Sequence, residues 1–191
     1  GLQNGDVYSF DVNDNNGCPH TITGGPFVGL PTANAGNDDT VCNSLTYTLN
    51  ATPSFGNGSW TGSGVFNPSP TAPNASVTVS GPGSYIFTWT EDNSSGCIDS
   101  DDVQISFSNL SYVENVVSST CGNSDGEITL NASGGVGPYL YSTDNGSTFQ
   151  SSGLFIGLFS GTYNIVVQDN LGCQISGSVT ITDSGGPVIN S

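Results

Sequence analysis

The sequence predicts an all-β protein made of tandem Ig-like β-sandwich domains, each with one disulfide. Three observations support this prediction: a phrase that repeats at domain-sized intervals, short segments of alternating apolar and polar residues, and cysteines at matching positions of the repeat. Hydrophobic residues make up 34% of the chain, and it contains 9 Phe, 7 Tyr and 2 Trp. This apolar content favours folded cores over a disordered chain.

The repeated phrase occurs as Tyr8–Cys18, Tyr85–Cys97 and Tyr163–Cys173. Each copy alternates apolar and polar residues, passes through a turn rich in Asp and Asn, and ends on Gly-Cys. The copies begin 77 and 78 residues apart, a spacing that indicates an array of small β-domains. Because the first copy lies so close to residue 1, we expect its domain to be truncated in this chain.

The repeats and the turn signals between them divide the chain into four segments. Residues 1–31 are expected to be the C-terminal part of a truncated preceding β-domain, and residues 32–108 a complete Ig-like sandwich. Residues 109–183 are expected to form another β-sandwich, and residues 184–191 a linker or the start of the next repeat.

Within the complete domains, each strand is predicted from its alternating residues and the turns that bound it. The predicted strands of the first are Leu45–Leu49, Gly58–Gly62, Val77–Val79, Tyr85–Trp89 and Val103–Phe107. Those of the second are Tyr112–Val117, Glu127–Asn131, Tyr139–Ser142, Thr148–Gln150, Thr162–Gln168 and Gln174–Ile181. About seven short strands in a domain are typical of an Ig-like sandwich.

The cysteines alternate between a position before an early strand (Cys42, Cys121) and the Gly-Cys end of the repeated phrase (Cys18, Cys97, Cys173). The economical pairing is Cys42–Cys97 and Cys121–Cys173, one bond per domain. Cys18 is then an orphan whose partner is expected upstream of residue 1. Disulfides indicate an extracellular or cell-surface location. A metal site is disfavoured, because the chain has no Cys-x-x-Cys pair and a single His.

The charge of the chain restricts its partners. It has no Lys or Arg and 16 Asp and Glu, which gives a formal net charge of -16. This predicts no nucleic-acid partner, since phosphate contacts come largely from Lys and Arg. No run approaches the ~20 apolar residues of a membrane-spanning helix, so no direct membrane insertion is expected. Without a Lys for a Schiff base or an Arg to clamp a carboxylate or phosphate, the sequence predicts that the protein is not an enzyme.

Oxygen-rich side chains are the candidate ligands for calcium, which takes six to eight oxygen ligands. The candidates are Asp11, Asp14, Glu91, Asp92, Asp99, Asp101 and Asp169. None follows EF-hand spacing, and Asp, Asn and Gly are also the residues that tight hairpin turns require. For Asp99 and Asp101, which belong to a second acidic set, the alternative is a solvated acidic face. These interpretations stay open, and calcium is the one cofactor that the sequence suggests.

Two other groups of residues are candidate functional sites. Ser142–Phe149 fits the Asp-box pattern, in which Asp144 is expected to bond the backbone of its own turn. Two Trp and two Tyr are candidates for a carbohydrate-stacking platform, although Trp60 and Trp89 suit a core better. The platform residues are Trp60, Trp89, Tyr139 and Tyr141.

Several ordered motifs resemble the SprB-type repeat of very large surface adhesins of gliding Bacteroidota. They are Cys121–Leu130, Ala132–Tyr139, Tyr141–Gln150, Gly161–Tyr163 and Asp169–Cys173. Residues 32–108 resemble the companion Ig-like or PKD-like repeats of the same proteins, on the motifs Ala33–Cys42, Leu49–Thr52, Trp60–Gly62 and Gly83–Trp89. The resemblance implies type IX secretion, display on the cell surface, and a role in adhesion or gliding motility.

Taken together, the residues and the resemblance predict a stalk or filament segment of a large secreted or cell-surface adhesin. The expected partners are neighbouring repeats of the same chain, and surface polysaccharide or other cell-surface proteins. The alternative is a carbohydrate- or calcium-dependent binding module. Thr40, within Asp39-Thr40-Val41, fits a short O-glycosylation signal associated with Bacteroidota and is a candidate glycan carrier.

Overall fold

The computed structural model describes residues 3, 5–13, 19–25, 30–54, 57–93 and 97–185. The secondary-structure elements in this part of the chain are all β-strands, which confirms the prediction of an all-β fold. Over the same residues, no helix long and apolar enough to cross a membrane is present.

The strands before residue 108 belong to three sheets. They are β1 (Tyr8–Asn13), β2 (Pro19–Gly24), β3 (Asp39–Val41), β4 (Thr46–Thr48), β5 (Asn57–Gly62), β6 (Val65–Asn67), β7 (Ser76–Thr78), β8 (Gly83–Asp92) and β9 (Ile98–Phe107). β1 and β2 form an antiparallel hairpin. The other two sheets have the strand orders β3-β9-β8-β5 and β4-β7-β6. β3 runs parallel to β9, while β5 runs antiparallel to β8.

The strands after residue 109 also belong to three sheets. They are β10 (Ser111–Val117), β11 (Ser119–Thr120), β12 (Gly126–Ser133), β13 (Leu140–Ser142), β14 (Leu154–Leu158), β15 (Gly161–Gln168), β16 (Gln174–Ile181) and β17 (Asp183–Ser184). The strand orders are β10-β12-β14, β13-β15-β16 and β11-β17. The short β11 and β17 are parallel to each other.

One predicted strand is wrong. Thr148–Gln150 forms no strand; Gln150 makes only an isolated bridge to Tyr141. The strand in this region is β14, a few residues later, which pairs with β12 on the side opposite β10. The reason is local, because Asp144 holds Thr148 in a side-chain-bonded turn that interrupts the extended backbone.

The chain divides into two compact units, each made of separate stretches of sequence. Unit 1 comprises Gly1–Asp38, Thr48–Val77 and Ile86–Gln104. Unit 2 comprises Asp39–Tyr47, Thr78–Tyr85 and Ile105–Ser191.

The core of unit 1 is built on two tryptophans that face each other across β5 and β8. Trp60 is 2% exposed and Trp89 1% exposed, and their ring centroids lie 5.2 Å apart. Phe87 is fully buried beside them and meets Phe66 edge to face. Aromatic side chains bury more area than any others, so this cluster contributes much of the apolar burial of the unit. The sequence correctly predicted that both tryptophans lie in a core.

The core of unit 2 fills the space between its two three-stranded sheets. Its buried members are Leu110, Ile128, Leu130, Tyr141, Ile165, Val167, Val179 and Ile181. Six of them come from alternate positions of β12, β15 and β16, as expected for strands with one face buried and one face in solvent. Tyr141 lies on β13, and Leu110 directly precedes β10.

Tyrosine side chains fix the start of the repeated phrase in both complete copies. The hydroxyl of Tyr85 donates to the carbonyl oxygen of Gly81 (2.9 Å), and that of Tyr163 donates to Phe159 (3.0 Å). Such a bond to the backbone four residues upstream is the tyrosine corner of Ig-like domains. The same bond is therefore present near the start of β8 and of β15.

The disulfide in the structure joins Cys42 to Cys173, with the Cα atoms 5.4 Å apart. Cys97 and Cys121 are free thiols. The predicted pairs Cys42–Cys97 and Cys121–Cys173 are therefore wrong, although each member of the observed bond was predicted to form a disulfide. Cys18, the predicted orphan, lies outside the described residues.

The predicted pairs fail because their members lie at opposite ends of a strand. Cys173 directly precedes β16, which ends at Ile181. Cys121 lies at the other end, where the amide of Gly122 donates to the carboxylate of Asp183 (3.1 Å). Eight extended residues span about 26 Å, whereas a disulfide needs Cα atoms within about 7 Å.

Cys97 and Cys42 are related to β9 in the same way. Cys97 directly precedes this ten-residue strand, whereas Cys42 follows Val41, which is paired with Phe107 at the strand's last position. In both predicted pairs, one cysteine precedes a strand and the other adjoins its end.

Candidate functional site

The Asx residue and the cysteine that flank the Gly-Cys turn make the same pair of hydrogen bonds in two copies of the repeat. The amide of Asp169 donates to the carbonyl of Cys173 (3.0 Å), and the amide of Cys173 donates to Asp169 Oδ1 (3.0 Å). Asn93 and Cys97 make the same two bonds, each 3.2 Å long. In both copies the Asx side chain therefore bonds the amide of the cysteine four residues later and holds that cysteine in place. The corresponding Asp14 of the first copy lies outside the described residues.

Asp169, one of the predicted calcium ligands, is a buried carboxylate. It is 4% exposed, and its Oδ1 also accepts from the amide of Leu171 (3.0 Å). Its other oxygen, Oδ2, accepts from the amide of Val136 (3.1 Å). Backbone donors therefore bond both oxygens, which agrees with turn chemistry and leaves the carboxylate committed to the fold.

Asp99 and Asp101 attach an early segment of unit 1 to β9. The amides of Ala33 and Ala35 donate to their Oδ2 atoms, each at 2.9 Å. Because residues two apart on a strand point to the same face, the two carboxylates act as a side-chain ladder for an extended segment. These predicted calcium ligands serve as hydrogen-bond acceptors for the backbone.

Glu91 is a carboxylate in the core of unit 1 and is 0% exposed. Its Oε1 accepts from the indole Nε1 of Trp89 (2.9 Å) and from the amide of Ser54 (3.1 Å). Its Oε2 accepts from the hydroxyl of Ser54 (2.7 Å). Buried polar groups are stable only when bonded in this way, so Glu91 fixes Trp89 and the segment around Ser54. The sequence placed Glu91 in an acidic turn and gave no sign of its burial.

The remaining predicted ligands lie apart. Asp11 accepts from the hydroxyl of Thr21, its cross-strand partner in the β1–β2 hairpin (2.5 Å). Asp92 is exposed at the end of β8, opposite Asn57. In the part of the chain that the structure describes, no group of three or more His, Cys, Asp or Glu side chains is arranged to hold a metal ion.

The Asp-box turn has the bonding predicted for it. Asp144 accepts from the hydroxyl of Ser142 (2.6 Å) and from both the amide and the hydroxyl of Thr148 (2.9 and 2.6 Å). These hydrogen bonds, the one from Ser142 first, lower the pKa of Asp144 from 3.8 to about 2, since they favour the charged carboxylate. Asp144 stabilises a turn and is engaged by its neighbours.

The four aromatic residues considered for a carbohydrate platform do not form one. Trp60 and Trp89 are buried, and the indole Nε1 of Trp60 donates to the carbonyl of Pro73 (3.1 Å). Tyr141 is 8% exposed, and the hydroxyl of Tyr139 donates to the carbonyl of Gly135 (3.3 Å). A sugar would need an exposed ring face, which the three buried rings do not offer.

The disulfide is the most specific constellation in the described part of the chain. Cys173 is 1% exposed while Cys42 is exposed, and the side-chain amide of Asn43 donates to the carbonyl of Gln174 beside the bond (3.4 Å). The two cysteines come from different copies of the repeat, an early-strand position and a Gly-Cys turn. No signal within one copy identifies this pairing. Thr40, the predicted glycan carrier, is exposed on the nearby outer strand β3.

The SprB repeat family model matches residues 113–148. This match confirms the predicted resemblance for that stretch, which runs from β10 through most of the Asp-box turn. No curated protein matches the chain.

The fold is similar to solved Ig-like structures. A C-terminal 282-residue fragment of intimin, in complex with the intimin-binding domain of the translocated intimin receptor, matches 81% of this chain and 64% of the fragment (18% identity, TM-score 0.50). The N-terminal eight Ig domains of Down syndrome cell adhesion molecule match with 95% and 32% coverage (11% identity, TM-score 0.53). The insect immune protein hemolin matches with 93% and 56% coverage (11% identity, TM-score 0.50).

These similarities confirm the predicted Ig-like fold. The chain spans from about a third to just under two thirds of the length of these three proteins. At such low identity the likeness concerns the fold alone, because Ig-like sandwiches carry many unrelated functions.

Proposed function

We propose that the chain is a structural repeat segment, part of a stalk or filament, of a large exported cell-surface adhesin. The SprB match and the Ig-like fold support the class of protein. The observation that carries the structural role is the bond between Cys42 and Cys173, which lie 131 residues apart in sequence. Ig-like repeats in the arrangement 32–108 followed by 109–183 are part of this proposal.

The disulfide changes how the chain responds to tension. When the two ends are pulled, the force follows the chain to Cys42, crosses the sulfur–sulfur bond and leaves at Cys173. The residues between the two cysteines are then outside the path of the force. Even if they unfold, they add no length, which suits a segment that holds an adhesive region at a constant distance.

Export and display follow from the same features. A disulfide persists in oxidising surroundings outside the cytoplasm, which supports a cell-surface location. Type IX secretion and a contribution to gliding motility belong to the proposal through the resemblance to SprB-type proteins. With a net charge of -16 and no Lys or Arg, the chain suits partners that bring cations or neutral polar surfaces, such as polysaccharide and other surface proteins.

Single-molecule stretching tests this role. The chain is held at its two ends and extended in oxidising buffer and then in buffer with reductant. Reduction is expected to add the 131-residue loop to the final extension, about 450 Å at 3.3–3.6 Å per residue. The C42S variant in oxidising buffer should match the reduced wild-type chain, while C121S should match the oxidised one.

An oxidised chain that extends to its full contour length would contradict the proposal. A glycan array on the same chain addresses the binding-module alternative, because reproducible hits would make ligand binding the primary role. Glycosylation of Thr40 is proposed as well, and intact mass with peptide mapping of the secreted protein would test it against a T40A control.

A further inference from the structure

We propose that Cys121 forms the same bond as Cys42: a disulfide to the Gly-Cys turn of another repeat of this kind. This inference rests on the proposed array of repeats. It is carried by the Cys42–Cys173 bond together with the equivalent backbone settings of the two early-strand cysteines.

The strands before Cys42 and Cys121 are equivalent. β3 runs parallel to β9, with Val41 paired to Phe107, and Cys42 follows at once. β11 runs parallel to β17, with Thr120 paired to Ser184, and Cys121 follows at once. In both places a short strand lies beside the last strand of its repeat, and a cysteine follows it directly.

The turns after these strands also agree. The residue after each cysteine has a positive φ, 58° at Asn43 and 74° at Gly122, so the backbone is left-handed directly after both cysteines. Cys121 itself, unlike Cys42, also has a positive φ of 43°. Both cysteines are exposed. Cys42 is bonded whereas Cys121 is a free thiol, so the two positions differ in whether a partner is present.

The residues that follow the last strand can also be aligned between the two repeats. After Phe107 it continues through Ser108 into the segment that carries Cys173 back to Cys42. By the strand pairing, Ser184 corresponds to Phe107 and Gly185 to Ser108. A repeat that began directly after Gly185 would therefore present its Gly-Cys turn to Cys121.

Cys97 is the other kind of cysteine in such a bond, the one that ends a Gly-Cys turn. Its turn has the same pair of Asx bonds as the turn of Cys173, yet Cys97 is a free, partly exposed thiol. By the same rule its partner is the early-strand cysteine of another repeat. Each repeat thus provides one cysteine of each kind, and a series of repeats becomes covalently linked at every junction.

Bond formation balances as a thiol–disulfide exchange. The Cys121 thiol and the Gly-Cys thiol lose two protons and two electrons in total and form one sulfur–sulfur bond. A small-molecule disulfide, oxidised glutathione in the test below, accepts both electrons and both protons and leaves as two thiols.

The test uses the chain through Gly185, extended directly by a second copy of residues 109–185. After refolding with reduced and oxidised glutathione, disulfides are mapped by mass spectrometry of peptides produced by cleavage at Asp and Glu. The expected new bond joins Cys121 of the first copy to the Gly-Cys cysteine of the appended copy, alongside Cys42–Cys173. In the C121S variant, the appended Gly-Cys cysteine should stay free.

A parallel sample distinguishes a partner in the same chain from one in another molecule. The unextended 191-residue chain is refolded over a range of protein concentrations. A linked dimer through Cys121 and a Gly-Cys cysteine that grows with concentration identifies a second copy as a partner. A bond in the extended chain that is independent of concentration identifies the next repeat of the same chain.

Retention of a free or glutathione-capped Cys121 in both samples, with Cys42–Cys173 formed, would overturn this inference and leave the proposed stalk intact. Bonds between two Cys121 side chains would overturn it as well. Absence of the Cys42–Cys173 bond would overturn both proposals, and in the stretching experiment reductant would then not add the 131-residue loop.

Discussion

The Cys42–Cys173 disulfide makes a strong prediction about stability. Replacing Cys42 or Cys173 by Ser opens a loop of 131 residues. Because the crosslink restricts the unfolded chain, its removal lowers the free energy of unfolding. For a loop of this length the chain-entropy relation gives about 5 kcal/mol at 25 °C. Since a typical domain is stable by about 5–15 kcal/mol, the loss should be evident in any unfolding experiment.

The size of the effect alone does not identify the pair. The predicted Cys42–Cys97 bond would close a loop of about 55 residues and give about 4 kcal/mol by the same relation. The pattern among variants separates the two. C42S, C173S and the double variant should each lose the same amount, because one bond is removed in all three. C97S and C121S should stay within about 0.5 kcal/mol of the wild-type chain.

Urea unfolding is the suitable assay. Circular dichroism follows the sheets and fluorescence follows Trp60 and Trp89, which both lie within the disulfide loop. Each variant is measured in oxidised and reduced buffer, and the reduced wild-type chain should match C42S. A C97S variant as unstable as C42S, or additive losses in the double variant, would refute the observed pairing.

Two further predictions concern single side chains. In unit 1, a Cβ added at Gly58 would lie 1.9 Å from Trp89 Cζ2, so G58A should lower the free energy of unfolding by about 1–3 kcal/mol. A Cβ added at Gly81 would have no atom within 4 Å, so G81A should be nearly neutral in the same urea assay. For Asp144, the folded pKa of about 2 lies below the ordinary 3.8, so its stabilising effect is complete above pH about 4 and is lost as pH falls through about 2. An NMR titration of the carboxyl carbons should show this low pKa. In the D144N variant, the free energy of unfolding should fall less over the same pH range than in the wild-type chain. An Asp144 that titrates near 3.8 would contradict the geometry.

Much of the fold was predictable because the apolar pattern of a strand depends on nearby residues. Alternation in Tyr85–Trp89 and Thr162–Gln168 predicted strands that the structure places in β8 and β15. The Asp-box pattern predicted the bonds of Asp144, since they join residues at most four apart. β14 was missed, because Leu154–Leu158 contains Gly157 and shows no strict alternation.

The predicted roles of the acidic residues were less accurate, because the sequence does not show which carboxylates meet hydrogen-bond donors in the folded chain. Asp99 and Asp101 accept from amides 66 residues away, and Glu91 accepts from Ser54, 37 residues away. Whether such an oxygen is available to calcium depends on donors that only the folded chain brings near. The alternative of turn chemistry, predicted for the acidic turns, describes Asp169 well.

The sequence by itself determined the class of fold, the repeat and its spacing, the acidic character and the positions at which cysteines recur. These properties depend on local pattern and composition. Only the tertiary structure decided which cysteines meet. Within one repeat, the early-strand cysteine and the Gly-Cys turn are held apart by the length of a strand, and the partner within bonding distance of Cys42 comes from the other copy of the repeat.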